Sequence, residues 1–399
     1  MQTLIKIPKA SSVKARLWSY VAALISVLML LTAIPPTISA ASGVYCPGDI
    51  AVINAIIDNN GLKWPKAPMD GSFLPNEWLL PDEWTGDGWA GTVWSSDAMD
   101  RRIVELHIVR MNLTGALDVS GLIMLKRFYC EGNNITSLNV SGCASMETLW
   151  CGRNSLTSLD VSGLTKLRSL FCDENNLTSL DVSDCILLES LNCGHNDLTF
   201  LDVSNCTALN YLTCGDSNLT SLDVSDCILL ESLNFYNTNI TSLDVSGLTI
   251  LRYLGCPANN IGALDVSGLV ALEYLWCRDN DLTSLNVSGC VALKELSCEG
   301  NNLTSLDITG LVALEALNCQ YNDMADTSDV IGVDTVPAFT AWGDKLSASR
   351  FEFNPQGPYA PRLTFRYVQF FVMYLIVPIL GVLLLAAFFV WTLVVVKSR

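Results

Sequence analysis

Between residues 117 and 324 the apolar positions return every 21 residues, a period that marks a stacked-coil solenoid rather than separate helices and strands. The leucine of LDV, or of its variants LNV and LDI, recurs in ten copies from Leu117 to Leu306 without one insertion. Between these leucines runs L-x-x-L-x-C-x-x-N-x-L, seen as Leu167, Leu170, Cys172, Asn175 and Leu177. Alternation across L-x-C predicts a short strand, with leucine and cysteine inward and the residue between them outward. Each coil is too short for a full helix on its return side, so extended or 3-10 segments are expected around LDVS. A single coil cannot bury its inward face; stacked coils share one core.

The cysteine slot holds Cys130, Cys151, Cys172, Cys193, Cys214, Phe235, Cys256, Cys277, Cys298 and Cys319. Phe235 decides how the column is read. A thiolate ligand or disulfide partner does not exchange with phenylalanine, whereas a buried apolar slot accepts either. No C-x-x-C cluster is present, and side-by-side stacking suits disulfide geometry poorly. Packing is therefore preferred over disulfides or metal. A second column (Cys143, Cys185, Cys206, Cys227, Cys290) alternates with leucines and is read the same way. So many thiols outside the cytoplasm imply an anaerobic cell or protective burial. Cys46 stands apart, preceded by Tyr45 rather than the small residue of a lipoprotein box.

Asn133, Asn154, Asn175, Asn196, Asn259, Asn280, Asn301 and Asn322 form a ladder suited to pairing buried backbone groups after each strand, with Ser217 and Thr238 in two coils. The recurrent aspartate of LDVS is read as an Asx turn, in preference to a calcium-binding edge, because Asn139 and Asn286 replace it. This combination resembles the leucine-rich repeat in its 21-residue form with LDVS and cysteine, as in internalin-like prokaryotic surface proteins. The resemblance covers about 117–324. It implies a β-rich leucine-rich-repeat solenoid of about ten coils, with a parallel strand sheet on one face, and recognition of a ligand through that face.

With the framework slots structural, information lies in the outward positions. Two aromatic patches emerge there. The first is Tyr129, Trp150 and Phe171 with Arg127, Arg153 and Arg168; the second is Tyr253, Tyr274 and Trp276 with Arg252 and Arg278. Aromatics beside arginine have the composition of interface anchors and also suit stacking on sugar rings; the alternatives are that the parallel strands stack these aromatics for their own stability, or that the N-terminal cap covers the first patch.

The flanks place the solenoid in the cell. Residues 1–41 have the order of a secretory signal peptide: Lys6, Lys9, Lys14 and Arg16, then an apolar core, then SAAS. An uncleaved anchor is the alternative. Residues 367–396 carry no charge and are long enough to cross a bilayer as one helix, and the basic tail 397–399 predicts a type I orientation. Residues 42–110 form an expected Trp-rich N-terminal cap, with a helix over 48–60; exposed tryptophans for sugar stacking are the alternative. Residues 111–324 hold the repeats. Residues 325–366 are expected to close the solenoid with a last strand pair, PAFTAW and SRFEFNP, and to lead to the membrane.

All 40 acidic residues lie between 42 and 366, against 17 basic ones there, so this region carries 23 net negative charges. That field argues against nucleic acid or anionic lipid as partners. Nine N-x-S/T sequons occur, most written by the repeat itself. The two histidines, His107 and His195, share no motif, and no phosphate loop or hydrolase elbow appears. An enzyme is not expected, nor a cofactor or metal. The sequence thus points to a membrane-anchored surface protein that recognises or adheres to a protein through its strand face. A carbohydrate-binding envelope protein and a passive surface spacer are the alternatives.

Overall fold

The computed structural model describes residues 45–79, 89–340, 351–353 and 356–357. The segments expected as signal peptide, membrane helix and tail lie outside the described residues; among those described, no helix is long and apolar enough to cross a membrane.

The 21-residue period becomes a 13-stranded sheet in chain order, nearly every neighbour parallel and in register at equivalent positions. Most coils contribute three residues, such as Ser169–Phe171, with the central leucine buried and both flanking residues half-buried. The solenoid has about eleven turns rather than ten. The additional strand is Ile103–Val109, which pairs in parallel with Arg127–Tyr129 and antiparallel with Trp89–Trp94. It lies in the region expected to be only a cap. Its IVELHIV alternation makes a strand without the leucines of the repeat, so the period alone does not reveal it.

Helix Pro47–Asn60 closes the first turn and stops at Gly61, whose φ of 62° is the left-handed conformation that glycine takes without strain. Its buried Asp49 binds Arg102 at 2.8 Å and accepts the Ile103 N–H at 2.7 Å, tying the helix to the first parallel strand. Trp78 is fully buried and its indole N–H reaches the Pro65 carbonyl at 2.8 Å, so this tryptophan is a packing residue. At the far end, Phe351–Glu352 adds to the sheet beside Ala316–Asn318, as expected. PAFT does not. Residues Pro337–Thr340 are a short helix, because proline at the first position is preset for helix entry and lacks the donor a strand would need.

The return side is a run of tight turns. In each of the ten LDVS copies the Asp or Asn side chain accepts the N–H two residues on, as Asp160 does from Ser162 at 2.9 Å and Asn139 from Ser141 at 3.1 Å. These bonds hold the carboxyls below their usual range. At the opposite corner, the ladder asparagines bridge adjacent coils. Asn175 accepts the Leu156 N–H at 2.9 Å and donates to the carbonyls of Cys151 and Cys172, both at 3.1 Å. The residue before each ladder position has positive φ. It is glycine at 132 and 300, but Arg153, Glu174, His195, Asp216, Asn237, Ala258, Asp279 and Tyr321 elsewhere. The amide bridges hold these left-handed residues in place.

Fourteen of the fifteen cysteines are buried and all are thiols. Burial pushes their pKa up, to about 12 at Cys214 and Cys256 and about 11 at Cys206. A thiolate is the reactive form. In the folded protein a maleimide titration at neutral pH is therefore expected to label half-buried Cys46 at most, and all fifteen only after denaturation; fast labelling of most thiols in the folded state would contradict this packing.

Candidate functional site: the strand face

The registered pairing stacks equivalent outward residues about 4.8 Å apart along the solenoid axis. Tyr129, Trp150 and Phe171 are consecutive rungs of one column, and Tyr253 and Tyr274 of the neighbouring one. The Trp150 and Phe171 rings lie parallel, centroids 5.1 Å apart at an interplanar angle of 6°. Tyr253 and Tyr274 repeat the arrangement at 5.0 Å and 4°, and Trp276 leans on Tyr274 at 5.9 Å. Both patches are thus assembled as expected, with one exception.

Tyr129 is not an outward anchor. Only 8% exposed, it is covered by His107, whose ring stacks on it at 4.4 Å, and it meets Trp150 edge-on. The covering strand is the additional one, Ile103–Val109. Burial, aided by the neighbouring Glu105 charge, pushes the Tyr129 hydroxyl up to about 12. The exposed end of the first patch is instead Phe171, extended by Tyr211 at 6.4 Å. Tyr211 stands in the adjacent column, so a search for aromatics in consecutive copies of one slot passes over it.

The arginines are not bare either. Arg127 pairs with Glu105, Arg153 with Glu174 at 3.2 Å, and Arg168 with Glu189. Arg252 shares Glu273 with Lys294, and Arg278 lies 3.5 Å from Asp279 and 4.0 Å from Glu299. In most of these the acid stands one coil beyond the base, at a spacing of 21 residues. Each position read alone suggests a free cation; read down the column, its partner is evident. The tryptophan N–H groups are also engaged, Trp150 with Ser169 at 3.3 Å and Trp276 with Glu295 at 2.9 Å. These bonds favour the observed rotamers of the two indoles.

A third feature lies between the patches. The Tyr236 hydroxyl is 2.8 Å from His195 Nε2, and His195 Nδ1 is 3.0 Å from Asp216. The tyrosine reaches back two coils because Gly215 leaves room: a methyl group there would lie 2.5 Å from its ring. Asp173, 9% exposed, is pushed above the usual carboxyl range by burial, and Glu131 is raised for the same reason. This middle region is polar.

No protein-family model matches the chain, and no curated protein matches it. Solved structures do. The functional domain of InlJ from Listeria monocytogenes, which includes a cysteine ladder, is 38% identical with a TM-score of 0.54, over 57% of this chain and 52% of that one. The chain thus spans about half the length of that relative. A leucine-rich repeat protein of Leptospira interrogans is 21% identical with a TM-score of 0.45, over 58% of this chain and 73% of that one. The internalin InlF of Listeria monocytogenes is 22% identical with a TM-score of 0.38, over 57% and 83%.

Proposed function

We propose that this chain, a leucine-rich repeat protein of the internalin-like type, is a surface recognition module that binds another protein through its strand face. Residues 367–396 hold it to the membrane in this reading, and attachment to another cell's surface is the role that follows.

The observation that carries the reading is the ring-on-ring stacking of Trp150 with Phe171 and of Tyr253 with Tyr274. Stacked rings spend their faces on each other and present edges. A sugar ring needs an open aromatic face, whereas a protein interface uses rigid, half-buried aromatic bulk whose ordering cost is already met. This favours a protein ligand over a glycan. The engaged arginines frame the patches without offering net positive charge, which fits apolar contact at the centre and polar contact at the rim.

The test uses the full chain in lipid nanodiscs against panels of surface proteins, glycans and whole cells. Wild type is expected to bind a protein component, and the Trp150→Ala/Phe171→Ala variant to bind it at least about 30-fold more weakly, as hot-spot truncations of about 2 kcal/mol or more do. Circular dichroism checks that both are folded. Equal binding by the two, or binding of glycans alone, would overturn the reading.

A further inference from the structure

One edge of the solenoid, where each coil turns from the return side into its strand, bears two features, of which the strand-face reading uses only Arg168, Arg252 and their ion-pair partners. The first is an exposed apolar ridge. Ile123 (50% exposed), Ile186 (55%), Ile228 (57%), Val270 (55%), Val291 (50%) and Val312 (63%) stand on it, with Met124, Leu187, Leu229 and Ile250 beside them. Unlike scattered surface hydrophobics, these follow one line along the axis, on a region of strong negative charge. The second is a column of charges two or three residues further along each coil: Lys126, Glu147, Arg168, Glu189, Asn210, Glu231, Arg252, Glu273, Lys294 and Glu315. It alternates in sign with one neutral rung, and four neighbouring pairs are bridged: Lys126 with Glu147 at 3.6 Å, Arg168 with Glu189, and Glu273 with both Arg252 and Lys294.

We infer that this edge docks against the same edge of a second copy of the chain, antiparallel about a two-fold axis between the fifth and sixth rungs. In that arrangement the first rung faces the tenth, the second the ninth, and so on. Lys126 then meets Glu315, Glu147 meets Lys294, Arg168 meets Glu273, Glu189 meets Arg252, and the neutral Asn210 meets Glu231. Every charged rung with a charged counterpart faces the opposite sign. A slip of one coil sets like charges opposite each other, which is costly across an interface, and a slip of two restores opposite signs over fewer rungs, so the full-length register is favoured.

The ridge obeys the same pairing. The three coils without a large apolar residue carry Ala144, Thr165 and Thr207, all exposed. They face Val291, Val270 and Ile228 respectively, so protrusions meet recesses in three of the five coil pairs, while Ile123 meets Val312 and Ile186 meets Ile250 in apolar contact. Such self-complementarity is what an isologous interface requires. A strip nine coil spacings long, about 43 Å, and two side chains wide buries less than the roughly 1,200–2,000 Å² of a standard interface. The dimer is therefore weak in solution and gains from neighbouring copies on a surface.

Light-scattering mass of the full chain in detergent, followed from micromolar to near-millimolar concentration, tests this with Glu189→Arg and Arg252→Glu. Wild type is expected to pass from monomer to dimer. Each single variant places two like-charge pairs across the axis and should raise the dissociation constant at least tenfold. Mixed in equal amounts, the two variants should associate as wild type does. In the mixed dimer the introduced arginine faces the introduced glutamate at one site, and the native Arg252 faces the native Glu189 at the other. A monomer at every concentration, a dimer indifferent to both variants, or no rescue on mixing would each overturn the proposal. The Trp150→Ala/Phe171→Ala variant should keep the wild-type mass curve, which separates this edge from the strand face.

Discussion

Replacing Asn175 by alanine should destabilise the solenoid by about 3 kcal/mol, because a buried N–H left without a partner costs about 1–3 kcal/mol and two further bonds go with it. The donor left behind is the Leu156 amide, which the asparagine serves across a coil boundary. Each cysteine carbonyl here is shared by two ladder amides: Cys172 accepts from Asn175 at 3.1 Å and from Asn196 at 3.0 Å. The loss is thus felt on both sides, and Glu174 is also released from the left-handed conformation. Asn175→Asp, nearly the same shape, is expected to cost more than alanine, since an oxygen would replace the donor facing both carbonyls. Asn175→Thr should cost least, as Thr238 already serves this slot. Urea unfolding of the three variants checks the order. If aspartate proves as stable as wild type, hydrogen bonding is not what the ladder contributes.

The second large effect falls on the interrupted cysteine column. Phe235→Cys would make that column uniform and yet is expected to destabilise by about 2–4 kcal/mol, somewhat below the roughly 3–5 kcal/mol of a buried Phe→Ala change. Phe235 is fully buried between Cys214 and Cys256, and the coils around it are built to its volume. A thiol fills only part of that space, and close-packed interiors collapse incompletely onto a void. Thermal unfolding of Phe235→Cys and Phe235→Ala beside wild type measures it. An unchanged or raised Tm for Phe235→Cys would mean that the slot is elastic and that a uniform thiol column is the preferred packing.

Why the framework was legible while parts of the face were not follows from the same geometry. A column of ten equivalent positions reports burial by its substitutions, as Phe235 does for the thiols and Asn139 for the Asx turns. The Asx hydrogen bonds and the asparagine bridges are where that reasoning put them. Tyr129 was misplaced because its cover, His107, comes from a strand outside the period. The partners of Arg168 and Arg252 were not read because Glu189 and Glu273 lie one coil away, adjacent in space but 21 residues distant. PAFT looked like a strand because its apolar character outweighed the proline that starts a helix. Framework follows from composition within a slot; surface chemistry follows from neighbours between slots.

The uniform 21-residue coil also bears on how such a chain can change over generations. A whole unit lost or duplicated away from the Ser217, Phe235 and Thr238 coils preserves the framework slots, so the number of coils is free to drift as far as folding is concerned. Pairing through the charged edge does not tolerate that drift equally. With an even number of alternating rungs, each charge faces its opposite across the two-fold; with an odd number every rung faces its own sign, and losing an internal coil also sets two like charges side by side. A lineage that gains or loses one coil would keep its fold but lose its old self-association, and a second event could restore it. Parity, rather than any single residue, would then act as the heritable mark of which copies recognise one another.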